Sequence, residues 1–520
     1  MPSVNRPLGA EGPQADSLRS CGIRRAAELL LYFVGAAVAL AGIIPASSVV
    51  VIAVAAAVVT ALHLAAYTHG AGAMRVLRWI ARPILCALYA GWAYLAIVFG
   101  WLLGWSVPWS IRIVLLLLAA LAIISARRPI GGVKVPILLP LGIWITLCLL
   151  GWKREDGVIR CDDYARFLSD RAATLMIPTT EALASCAPGK VLRLERYPRR
   201  IWEAPDSSRF LVTTQPGYNY LEHGEPVPDP LDGGVCEFGA DGSHRGCVKA
   251  AYKTQAIWDA ERLDRVFAVG WNGMDGGLFA FPRTGALRVV AEVRTPGNGG
   301  DGYYDPDADE IGLLDETAAP LTRYRASDFS PLPTLRAPFA PGEIHYNPSR
   351  HEGIFCFSSG PLARALGTPS AYLSAAFSGH PFSYRLLGAA SPWAYAAAVW
   401  GCDFDPDKRV AWIAIASLPV IAVVDYDTGR VIDTWWAEAG LRSAVFDAAR
   451  RRLYVCNFLR GDVIAFDVDS GRKLQEWFVG RFTRYVGISR DRNALFATSN
   501  LGVVRIPLAP ELAPSSGSMS

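Results

Sequence analysis

Seven cysteines follow residue 153, at positions 161, 186, 236, 247, 356, 402 and 456. Thiols can bind metal, carry redox chemistry or cross-link a chain, and their spacing separates these uses. None here forms CxxC or CxxCH, so neither a zinc cluster nor covalently attached haem is expected. Cys236 and Cys247 flank a hairpin-like stretch, GVCEFGADGSHRGC, and make the first candidate disulfide. Cys161 with Cys186 is the second, and an oxidising compartment would permit both. Cys402 and Cys456 lie beside repeated strands and read as plain buried thiols.

The acidic run Asp305, Asp307, Asp309 and Glu310 has the look of a calcium loop but lacks its glycine and closing glutamate. A turn role explains it better, as it does Asp403, Asp405 and Asp407. His223, His244, His345, His351 and His380 are scattered. His345 and His351 share one segment, but the NPSR turn between them favours solvated loop histidines over a metal site. There is no GxSxG, HExxH or phosphate loop, and the glycines of residues 296–302 lack a strand-to-helix context. No catalytic residue, metal or cofactor is therefore assigned.

The elements that hold these residues repeat. A strand, an Asp-containing turn and a second strand recur as IWEAPDSSRFLVTT from Ile201, IWDAERLDRVFAVG from Ile257 and YYDPDADEIGLLD from Tyr303. HYNPSRHEGIFCF from His345, CDFDPDKRVAWIAIA from Cys402, VFDAARRRLYVCN from Val445 and GISRDRNALFATSN from Gly487 complete seven copies. Second-strand positions Phe210, Phe267, Ile311, Ile354, Val410, Leu453 and Leu495 are mostly 42 to 44 residues apart, with two wider gaps of 57 and 56. A further hairpin follows several copies, as in VIAVVDYDTGRVIDTWW from Val420 and VIAFDVDSGRKLQEWF from Val463. Short alternating segments at this period predict an all-β propeller of seven four-stranded blades over residues 190–508. The seventh blade lacks one strand, and KVLRLERY (Lys190–Tyr197) is the candidate to supply it and close the ring. Arg442 and Arg484 hold matching places just before the innermost strands of neighbouring blades. Side chains there can point into the central channel and meet an anionic ligand; inter-blade hydrogen bonding is the competing use.

The segment from Arg452 to Arg505, with LYVCN, VIAFDVDSGRKL, GISRDRNALFATSN and VVRIPL, resembles the YVTN-type β-propeller repeat of surface and periplasmic bacterial proteins. The resemblance implies a fold and no activity, because such propellers serve binding, scaffolding and enzymatic roles alike. Membrane-bound quinoprotein glucose dehydrogenases also join a five-span anchor to a propeller, and their repeat runs D-x-x-T-G-x-x-x-W. Here Asp425, Thr428 and Gly429 match, but Trp435 comes two residues late, and Trp477 repeats the offset after Gly471.

Before the repeats the chain changes character. Residues 26–152 are almost wholly apolar and divide into stretches at 26–44, 48–67, 83–104, 109–126 and 135–152, each near the ~20 residues that cross a bilayer as a helix. The 1–25 tail carries Arg6, Arg19, Arg24 and Arg25; Arg75, Arg78 and Arg82 follow the second stretch; Arg127, Arg128 and Lys134 follow the fourth. The other two connections carry no Lys or Arg. Positive residues stay inside. The N-terminus is thus expected in the cytoplasm and the C-terminal domain in the periplasm or outside the cell. Glu28 is the only acidic residue within these stretches, which argues against a proton relay. Residues 153–189 read as a linker or collar and 509–520 as a disordered tail.

With 51 Lys plus Arg against 47 Asp plus Glu, the net charge is only +4. No basic run interleaved with aromatics appears, so no nucleic-acid partner is expected. The expectation is a bacterial inner-membrane protein whose partners are the lipid bilayer and an envelope protein or small ligand. It binds or scaffolds rather than catalyses; a quinoprotein-like or lactonase-like propeller enzyme is the rival.

Overall fold

The computed structural model describes residues 157–217, 233–272, 276–295, 299–315, 320–336, 343–350, 352–356, 374–378, 383–387, 399–415, 420–428, 430–438 and 440–508, with single positions at 58, 61, 76, 79 and 80. Two compact units divide the chain, Met1–Trp152 and Lys153–Ser520. In the first, Val58, Ala61, Val76, Trp79 and Ile80 are helical and exposed. The rest of the five apolar stretches lies outside the described residues, and among the described residues no helix is long and apolar enough to cross a membrane.

The second unit is β-sheet. Its described residues form seven four-stranded antiparallel sheets and one two-stranded ribbon. In each large sheet the strands follow chain order, apart from the one that closes the ring. The seven sequence copies fall on the hairpin between the first and second strands, from Arg196–Glu203 with Arg209–Pro216 to Tyr485–Ile488 with Ala494–Thr498. The first strand of each sheet touches the first strand of the next, and Tyr485–Ile488 returns to Arg196–Glu203. This cyclic succession is a propeller-like arrangement with the first strands innermost.

Packing explains why the middle strands are apolar without alternation. Arg452–Asn457 and Asp462–Asp467 are buried at nearly every position, since sheets cover both their faces. Outer strands such as Ala291–Thr295 alternate toward solvent. Aromatic rings fill the gaps between sheets: Trp412 meets Phe446 at 4.8 Å between ring centroids, and Phe210 meets Phe496 at 5.4 Å across the closing seam.

The inner turns repeat one chemistry. Asp305 Oδ1 accepts from the amides of Asp307 and Ala308, both at 3.0 Å, and Asp405 and Asp447 do the same two and three residues on. These carboxylates shape turns, as the repeat implied. Arg409, Arg451 and Arg492 end the turns in the left-handed region, at φ of 57°, 52° and 57°. Their guanidiniums reach back one sheet, to Glu352 at 2.7 Å, Asp405 at 2.6 Å and Asp447 at 3.7 Å. The sequence holds this ladder in plain view, an arginine four residues after Asp405 and Asp447 and three after Ser489.

Closure differs from the expectation. The outer strand of the last sheet is Thr174–Pro178, which pairs with Gly502–Pro507. Lys190–Tyr197 does not supply it. Val191–Arg193 pairs instead with Val158–Arg160, and Arg196 already begins the innermost strand of the first sheet. Of the segment 153–189, expected as a linker or collar, the described residues 157–189 are part of the fold. Within it a helix runs over Cys161–Ser169 and ends before TLMIP, which completes the sheet. The bond between Cys161 and Cys186 ties this helix to the 3-10 turn Glu181–Ser185.

Candidate functional site

Counting four residues back from the residue that opens each inner turn gives one tier of side chains around the ring. It comprises Arg199, Gln255, Asp301, Glu343, Gly401, Ser443 and Tyr485. Five of the seven inner strands carry a β-bulge near this tier, between Pro198 and Ile201, Thr254 and Ala256, Gly299 and Asp301, Val399 and Gly401, and Leu441 and Ala444. A bulge bends the strand and re-aims its side chains, a device common beside binding sites. Gly401 is the small member because a Cβ there would overlap the Arg442 carbonyl and the Ser443 backbone of the next inner strand.

Charge concentrates on one side of the ring. Arg200 Nη2 donates to Asp301 Oδ2 at 2.7 Å and to Glu343 Oε1 at 3.0 Å, and its guanidinium carbon stands 5.4 Å from the Tyr485 ring. Ser443 Oγ donates to the same Glu343 oxygen at 3.2 Å. Two residues further along, His345 stands between two acids, with Nδ1 3.5 Å from Asp403 Oδ1 and Nε2 4.0 Å from Glu343 Oε1. Burial raises the pKa values of Glu343 and Asp403, favouring the neutral form, against the pull of their cationic neighbours. Burial also works against the charge on Arg200, but Asp301 and Glu343 outweigh it and hold the guanidinium more firmly charged than usual.

Two of these acids have structural partners. Asp301 takes the amides of Gly302 and Ile344 at 2.8 and 3.0 Å. Asp403 takes those of Phe404 and Phe446 at 2.8 and 2.6 Å. Each carboxylate thereby satisfies an exposed edge amide of the next inner strand. Glu343 is different: its Oε2 is buried with no hydrogen-bond partner, as is Nε2 of His345.

The second group is cationic. The guanidinium carbon of Arg484 lies 5.0 Å from the rings of both Tyr197 and Phe458, and that of Arg442 lies 5.2 Å from Phe458. Tyr197 is buried, which raises its phenol, while Arg484, Arg199 and Arg442 pull it down. Its hydroxyl donates to the Phe482 carbonyl. Arg199 donates to Gln255 on the next inner strand. Nε of Arg484 is buried and has no hydrogen-bond partner. The two groups adjoin along the chain, since Arg442 precedes Ser443 and Arg484 precedes Tyr485.

Arg442 and Arg484 thus come together, on the aromatic pair Tyr197 and Phe458. Cys236 and Cys247 are bonded to each other across one hairpin. Their sulfurs lie near His244, but cross-linked sulfurs offer no thiolate to a metal. Cys456 is a buried thiol, pushed up to about 12 by burial. Two expectations fail. Cys402 is disulfide-bonded rather than a free thiol. His345 and Asp403 belong to inner strands, not to a solvated loop and a turn. The turn signals beside them, NPSR and DPDK, misdirected the sequence assignment. His223, His351 and His380 lie outside the described residues.

No protein-family model matches the chain, and no curated protein matches it. A solved structure titled Kuenenia stuttgartiensis Hydrazine Synthase is similar at a TM-score of 0.47 and 11% identity, over 60% of this chain and 96% of that one. What stands on observation is the fold of the second unit, a β-propeller-like ring of four-stranded sheets.

Proposed function

We propose that this chain is a membrane-anchored, seven-bladed β-propeller that binds a small anionic ligand at its channel, outside the cytoplasm, and does not catalyse a reaction. The observation that carries the binding reading is the buried, unpartnered Nε of Arg484, set among Arg199 and Arg442. A buried donor left without an acceptor costs about 1–3 kcal/mol, and an anion would remove that cost. Three guanidiniums around one phenol also favour negative charge by simple Coulomb attraction.

Inorganic phosphate and butyrate, titrated calorimetrically into full-length protein in detergent, test this. Binding of at least one is expected, and Arg484→Gln should weaken it by 10-fold or more, in line with about 1.5–3 kcal/mol for a charge-assisted hydrogen bond. No heat with either anion sinks the reading. The location rests on the apolar stretches and their basic loops. A reporter fused after Ser520 is expected to be active only outside the cytoplasm, and cytoplasmic activity would overturn that topology.

One observation favours catalysis instead. An imidazole with Nδ1 beside Asp403 and Nε2 open has the form of a general base. Among the described residues it has no free nucleophile beside it, since Ser443 Oγ is committed to Glu343 and the Cys456 thiol donates a hydrogen bond to the Thr483 carbonyl. Binding is therefore preferred.

A further inference from the structure

We infer that the channel ligand is a zwitterion, a short amino carboxylate whose ammonium sits on Glu343 and His345 while its carboxylate meets Arg484. The inference rests on the channel-binding reading and specifies what the far end of the ligand must be.

Among the described inner-strand acids are Asp301, Glu343 and Asp403, and Arg200 pairs with the first two of them. The oxygens of Asp301 and Asp403 accept backbone amides, so these two acids are explained by the fold. Glu343 is not. Its side chain is 7% exposed, its Oε1 is used twice, and its Oε2 receives nothing. His345 lies two residues along the same strand and hence on the same face. Asp403 at Nδ1 favours the tautomer protonated there, which leaves Nε2 an acceptor.

Two buried acceptors with no donor call for a group with several N–H bonds and no acceptor of its own. An ammonium has three donors and none to spare for repulsion. A divalent cation fits worse, because Arg200 already places a positive charge 3.0 Å from the same carboxylate. The open donor of Arg484 then receives the other end. In height along the inner strands Arg484 is one residue step from Glu343 and three from His345, about 3 and 10 Å at ~3.3 Å per residue, so the length of the ligand's carbon chain is the variable to titrate.

Full-length protein in detergent should be titrated with glycine, γ-aminobutyrate and 6-aminohexanoate beside butyrate and butylamine. At least one amino carboxylate is expected to bind 10-fold or more tightly than butyrate. Glu343→Gln should remove that advantage, and Arg484→Gln should weaken both butyrate and the amino carboxylates. γ-Butyrobetaine gives an arm that needs no variant. Its nitrogen keeps the charge but has no N–H, so it should bind no better than butyrate. If butyrate binds as tightly as every amino carboxylate, or the betaine matches γ-aminobutyrate, the zwitterion is overturned and the anion site stands. If neither butyrate nor any amino carboxylate binds, the zwitterion falls, and the anion site falls with it when phosphate also gives no heat.

Discussion

Arg200→Met is expected to lower the stability of the β-sheet unit by about 3–5 kcal/mol at pH 8, the usual cost of removing one partner from a buried ion pair. Asp301 would keep its two backbone amides. Glu343 would keep only the Ser443 hydroxyl, so most of the loss should fall there. The pH dependence follows in sign. Burial already raises Glu343, and without Arg200 it would rise further. An acid whose folded pKa is raised destabilises fully above that value, and the penalty fades as pH falls toward its ordinary value of about 4.3. Urea midpoints by tryptophan fluorescence should therefore show a larger gap between variant and wild type at pH 8 than at pH 5. Arg200→Met with Glu343→Gln should recover much of the loss. An equal gap at both pH values, with no recovery in the double variant, would show that Arg200 matters only as packing.

Ile177→Asp is expected to cost 4 kcal/mol or more, beyond the ordinary range for a point change, because it buries an unpaired charge in the closing seam. Ile177 is 5% exposed and packs with Ile201, Phe210, Val212, Phe496 and Val503, residues of the first and last sheets. Among the described residues, the strand carrying it is the one that covers the edge of Gly502–Pro507. Losing that cover leaves unpaired backbone groups, a template for aggregation. The variant should run as aggregate on size exclusion, with a urea midpoint well below wild type. Leu175→Asp is the control: Leu175 is partly exposed on the same strand and should cost less. Equal, mild effects at both positions would mean that Thr174–Pro178 does not hold the ring shut.

How far the sequence reached depends on whether the information was local. The inner hairpins were legible because each is a turn residue between two apolar strands, and Asp305, Asp405 and Asp447 cap their own turns. The closing strand was not legible. Thr174–Pro178 pairs with residues over 320 positions away, and nothing in TLMIP names its partner. The pairing of Arg442 with Arg484 came from repeat alignment, which puts equivalent positions at equivalent heights. Glu343, His345 and Asp403 were missed because their roles come from three strands meeting at one axis.

The sequence by itself determined the apolar first unit and the repeated four-stranded units and offered two cysteine pairs as candidates, since each is written in periodicity or in spacing within one hairpin or loop; it did not reveal the bond of Cys402. Tertiary structure alone decided which strand closes the ring and which charges share the channel. The physical reason is common to both: a cyclic array brings first and last segments, and one tier of every inner strand, to a meeting point that no local pattern encodes.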